Sequence, residues 1–82
     1  MKRVDITALT RRERDLIVDE ANFNEDQLAI FNALNANRLC DFAIAAQLGL
    51  SNRKYYATKS LVCMKVERLA SEYGLTHVLR RV

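Results

Sequence analysis

No proline interrupts the 82 residues and only two glycines occur, Gly49 and Gly74, so the chain has little of the punctuation that sheet-rich or loop-rich folds need. Helices joined by short turns remain. Apolar runs are short, none nearing the ~20 residues that cross a bilayer. Nor is Met1-Lys2-Arg3-Val4-Asp5 followed by an apolar export segment. A cytoplasmic protein without membrane contact is therefore expected. The single histidine is His77, there is no Gly-rich phosphate loop, and no Ser, His and acid set stands at a catalytic spacing. No enzyme chemistry is expected, and His77 reads as a surface residue near the C-terminus. Cys40, Cys63 and His77 are the only soft metal ligands, and they lack the close pairs of a structural zinc site, so neither metal nor cofactor is expected. The two cysteines are expected to be reduced and buried.

Half of the residues are hydrophobic, enough for one core, and residues 1–82 read as a single domain. A core of that size is marginal, which makes self-association a natural source of further burial. The net charge of +3 is modest, but its distribution is uneven. Asp15, Asp19, Glu20, Glu25, Asp26 and Asp41 fall in a segment with one base, Arg38. No acid follows from Phe42 to Val66, where Arg53, Lys54, Lys59 and Lys65 lie. A window of that sign suits a phosphate-facing surface, and it equally suits a solvated helix face.

Start and stop signals divide the chain into four helices. Thr10 with Glu13 forms a capping-box pair ahead of a helix over Arg11–Ala21, with Leu16, Ile17 and Ala21 as its apolar stripe. Asn24 with Gln27, stapled by Phe23 onto Leu28, starts a second helix over Glu25–Ala36, whose inward face is read as Leu28, Phe31 and Leu34. Asn35 and Asn37 mark its fraying end. A third helix over Leu39–Leu48 is expected to turn Phe42, Ala45 and Leu48 inward, with Ile44 beside them. The fourth is long, Asn52–Tyr73, and Gly74 with Leu75 predicts a Schellman cap. Tyr55, Thr58, Val62, Val66, Leu69 and Tyr73 form its buried stripe, with the first helix as the expected partner of the stripe's second half. A second apolar row, Leu61 and Met64 followed by Leu75, Val78, Leu79 and Val82, reads either as cover for the same core or as a dimer interface. Residues 1–9 and 75–82 are left open between extended, helical and frayed.

Between the last two helices stands Ile44-Ala45-Ala46-Gln47-Leu48-Gly49-Leu50-Ser51. Ala45 is small where helices cross, Gly49 supplies a positive φ, Leu48 and Leu50 plug the corner, and Ser51 caps the next helix. The spacing of Ile44, Ala45, Leu48, Gly49, Leu50, Ser51 and Tyr55 resembles the helix-turn-helix of bacterial regulators, in particular region four of sigma factors and LuxR-type domains. The likeness covers roughly residues 24–69, with the motif at 39–60. Tyr55 and Thr58 depart from it, standing where small aliphatics, Ile or Val are usual. The resemblance implies an all-α bundle of about four helices, in which helices two to four form the trihelical unit and the last is the recognition helix. It also implies a bacterial or phage-like transcription regulator, or a promoter-reading module, that binds double-stranded DNA.

On that reading Ser51, Asn52, Arg53, Lys54, Tyr56, Ala57, Lys59 and Ser60 face the groove. Asn52 suits adenine, Arg53 guanine or phosphate, and Ser51, Tyr56 and Ser60 phosphates or bases, while Lys54 and Lys59 hold the backbone. Lys65 lies too far along the helix to reach the duplex. The other reading is a protein-binding module on the same scaffold, holding RNA polymerase or another regulator through Leu61, Met64 and the C-terminal apolar residues. A homodimer is compatible with either.

Overall fold

The computed structural model describes residues 2–36 and 38–81. Its helices are α1 (Arg11–Ala21), α2 (Glu25–Ala36), α3 (Asp41–Gln47) and α4 (Asn52–Glu72), so the expected all-α bundle is formed. Its ends, left open in sequence, pair as an antiparallel ribbon. β1 (Lys2–Val4) lies against β2 (Leu79–Arg81) in the register Lys2 with Arg81, Arg3 with Arg80 and Val4 with Leu79. A 3-10 turn adjoins each strand, Ile6–Ala8 and Thr76–Val78, and the Asp5 N–H donates to the Val78 carbonyl at 2.7 Å. Among the described residues no helix is long and apolar enough to cross a membrane.

The helix ends follow their local chemistry. Thr10 Oγ1 accepts from the Glu13 N–H at 3.2 Å while Glu13 Oε1 accepts from the Thr10 N–H at 2.9 Å, so the capping box of α1 is complete. Asn24 and Gln27 make the same reciprocal pair at α2, at 2.8 and 3.2 Å. Glu13 also meets His77 Nε2 at 2.8 Å, which ties the second 3-10 turn to the start of α1. Its carboxyl sits below the ordinary range, first through the Thr10 N–H and then through His77. α1 ends on Asn22 in the left-handed region, φ 53°. α4 ends in the predicted Schellman cap, with Gly74 at φ 69° and the Leu75 N–H donating to the Ala70 carbonyl at 2.8 Å.

One core runs through the molecule. α4, about 30 Å long by its 21 residues, nearly matches the longest extent of 34 Å and packs against α1, α2, α3, β1 and the second 3-10 turn. It buries Tyr55, Val62, Val66, Leu69 and Ala70, to which α1 adds Ile17 and Ala21. Val78 and Ile6 come from the two 3-10 turns. Burial of each large side chain contributes about 1.5–3 kcal/mol, so the 3-10 turns are part of the fold and not appendages.

The inward faces of α2 and α3 differ from those expected by one step of the helix. α2 turns Gln27, Ile30 and Phe31 into the core with Leu34 half-buried, while Leu28 moves to the side of an open groove beside Arg14 and Val18 of α1. α3 is shorter than predicted, Asp41–Gln47, and buries Ile44 and Ala45, whereas Phe42 is 71% exposed and Leu39 lies outside it, exposed. In both helices the inward positions are i, i+3, i+4 and i+7: 27, 30, 31, 34 and 41, 44, 45, 48. Each frame begins on a polar residue, and apolar pattern alone favoured the neighbouring Leu28 and Phe42. Tyr73 likewise leaves the α4 stripe, where Ala70 takes its place, because the Schellman turn begins there. The second apolar row divides: Val78 is buried and Leu75 and Leu79 half-buried, while Leu61 and Met64 stay exposed and Val82 lies outside the described residues. Cys40 is exposed, contrary to expectation, and Cys63 half-buried; both are free thiols.

Asn35 is the other departure. Far from fraying, it is half-buried, donates from Nδ2 to the Ile6 carbonyl at 3.1 Å and accepts from Arg14 Nη1 on Oδ1 at 3.1 Å. It joins the first 3-10 turn, α1 and α2; Asn37 lies outside the described residues. Asn35→Ala leaves a carbonyl and a guanidinium short of partners and is expected to lower the unfolding free energy by about 1–3 kcal/mol in urea titration.

Candidate functional site

The site begins at the turn between α3 and α4. The Gly49 N–H donates to the Ala46 carbonyl at 3.2 Å and the Leu50 N–H to the Ala45 carbonyl at 2.9 Å, a complete Schellman pair closed by Gly49 at φ 69°. Leu48 and Leu50 flank it, half-buried against the core. Ser51 then caps α4, its Oγ accepting from the Lys54 N–H at 3.2 Å. Helix, turn and helix are thus joined by four residues, 48–51, with local bonds that fix the entry of α4.

Past this corner, Ser51, Asn52, Arg53, Lys54, Tyr56, Ala57 and Ser60 are all exposed, as the sequence predicts. The ring of Tyr56 stands edge-on to Tyr55, 5.2 Å between centroids at 77°, which holds it beside the helix. Lys54 Nζ lies 3.7 Å from Asp26 Oδ2, with both side chains at least half in solvent, a pair worth about 0–1 kcal/mol that leaves the ammonium available. Compared with models of known protein families, with curated proteins and with solved structures, the chain matches none. The face is therefore read from its own chemistry.

Lys59 departs from expectation. Its Nζ lies 3.0 Å from both carboxylate oxygens of Asp41, and the Tyr55 hydroxyl donates to Asp41 Oδ1 at 2.7 Å. Instead of reaching outward with its neighbours, Lys59 turns back onto α3. The Tyr55 hydroxyl and then Lys59 hold the Asp41 carboxyl below the usual carboxylate range, while burial and that carboxylate push the fully buried Tyr55 phenol up. Burial also pushes the Cys63 thiol up.

Lys65 is used in the same way one and a half turns on. It donates to Gln27 Oε1 at 2.8 Å and lies 5.5 Å from the centroid of the Phe23 ring, far from the proposed face. Asp41 is the residue that sequence reading passed over. The signal was present: an inward frame fixed by Ile44 and Ala45 places Asp41 inside, and Tyr55 with Lys59, four residues apart on one face of the next helix, supplies its donors.

Two measurements follow. A Cβ on Gly49 meets nothing within 4 Å, so the cost of Gly49→Ala is backbone alone, about 1–2 kcal/mol in urea titration, with Gly49→Asn costing less. Because the Asp41 carboxyl is depressed in the folded state, its stabilisation is fully present above the unfolded carboxylate value near ~3.9 and is lost as pH falls through the lower folded value. Asp41→Asn is expected to flatten that acid limb of the stability profile while lowering stability at neutral pH.

Proposed function

We propose that this protein is a small DNA-binding transcriptional regulator or sigma-like promoter-reading module, with the first two turns of α4 entering the major groove. The observation that carries the reading is the exposed face of Ser51, Asn52, Arg53, Lys54, Tyr56, Ala57 and Ser60, which follows directly on the Gly49 turn, carries no carboxylate of its own and has the solvated Asp26 near Lys54. The Asn52 amide offers a donor and an acceptor, and the Arg53 guanidinium a fork of donors, suited to base edges. Lys54 and the hydroxyls of Ser51, Tyr56 and Ser60 suit phosphates. The absence of any base at Ala57 makes Arg53 the principal charged contact of the face.

A second reading, a protein-binding module for RNA polymerase, another regulator or a second copy of the chain, is favoured by one observation. Phe42 on α3 and Met64 on α4 are 71% and 61% exposed, large apolar side chains left outside the core. Fluorescence anisotropy with labelled random duplex DNA at two salt concentrations separates the two. The DNA reading expects salt-sensitive binding, weakened by about 5- to 100-fold in Arg53→Ala on a preferred site. Absent binding at low salt, or salt-insensitive binding that Arg53→Ala leaves unaltered, would sink it in favour of the protein partner.

A further inference from the structure

We propose that Asp41 is the positioning residue of the DNA-facing surface: from α3 it locks Tyr55 and Lys59 of α4, fixing how the helix is presented and withholding Lys59 from the phosphates. This rests on the DNA reading above and deepens it. By helical position Asp41 lies on the inward face of α3 with Ile44, Ala45 and Leu48, and Tyr55 and Lys59 lie one turn apart on the facing side of α4. The contact is two-ended and convergent. One carboxylate accepts from a fully buried phenol at 2.7 Å and from an ammonium 3.0 Å from each of its oxygens.

Lys59 and Asp41 keep only 28% and 32% of their side-chain exposure, unlike the solvated Lys54–Asp26 pair. For a phosphate to recruit Lys59, it must strip a half-buried carboxylate of its only ion pair among the described residues and leave it on the phenol alone. A phosphate has no such cost to meet at Arg53, which is exposed and makes no ion pair among the described residues. The basic count of the helix therefore overstates the charge it offers a partner. Arg53 and Lys54 face outward while Lys59 serves the α3–α4 corner. The same contact ties the presentation of α4 to a polar lock on α3, a helix whose Ile44 and Ala45 are buried in the core with Tyr55.

The test is the slope of log binding constant against log salt, measured by anisotropy on labelled duplex DNA. Each phosphate contact contributes about 0.9 to that slope. Arg53→Gln is expected to flatten it by about that amount. Asp41→Asn, whose amide oxygen still accepts from Tyr55, is expected to steepen it by a similar step as the released Lys59 reaches the duplex. The doubly substituted Asp41→Asn, Lys59→Gln protein keeps the net charge of the corner and is expected to retain the parent slope. A double variant flattened as far as Arg53→Gln overturns the proposal, because Lys59 is then a phosphate contact. A DNA-free measurement stands beside it. In urea unfolding the two single substitutions and the double are expected to be non-additive by about threefold or more in the unfolding constant, and additivity overturns the lock. If the parent shows no salt-sensitive binding, the DNA reading fails, and the unfolding cycle alone then decides whether Asp41 holds Lys59.

Discussion

The structure depends on how α4 satisfies the polar residues that its neighbours bring inward. Gln27 of α2 and Asp41 of α3 each open an inward frame, and each is met by a lysine of α4, Lys65 and Lys59. Without those lysines Gln27 Oε1 would keep only the Asn24 N–H and Asp41 only the Tyr55 hydroxyl, so a buried amide and a partly buried carboxylate would each lose a donor. With them, no buried side-chain nitrogen or oxygen among the described residues lacks a hydrogen-bond partner. The arrangement also sets register. Shifting either helix by one residue would bury Leu28 or Phe42 but detach its lysine.

This economy of charge changes the meaning of the acid-free window from Phe42 to Val66. In sequence it reads as a basic surface, yet two of its four bases are turned to internal work and a third, Lys54, approaches Asp26. What remains outward is a short face with the Arg53 guanidinium, without an ion pair among the described residues, the solvated Lys54 ammonium, several hydroxyls and an amide. Such a face has modest long-range attraction and more capacity for hydrogen bonding at close range. Beside it, the exposed Phe42 and Met64 keep a protein partner in view as the alternative use of the same scaffold.

The boundaries of α1, α2 and α4 were legible because their causes are local, whereas α3, with no side-chain cap at Cys40, begins two residues later than predicted. The two capping boxes, the Ser51 cap and the glycines at 49 and 74 act through bonds within a few residues, and every one forms as the sequence predicts. The exposed face of α4 was legible for the same reason, since Ser51 and Tyr55 fix its phase. Asn35 was not, because its partners, Ile6 and Arg14, lie 29 and 21 residues away. Nor was the pairing of the chain ends, whose three-residue strands carry too short a pattern to distinguish ribbon from frayed coil.

The sequence by itself determined the four helices, the capped starts of α1, α2 and α4, the α3–α4 turn and most of the residues that α4 buries and exposes. Each of these follows from spacing along one segment. The tertiary structure alone decided which polar residues go inside. A frame containing Gln27 or Asp41 is unfavourable to bury unless donors meet it, and the lysines that do so arrive from another helix. For that reason Lys59, which by sequence belongs with Arg53 and Lys54, belongs by structure to the core side of the corner, and Asp41 is the residue that places it there.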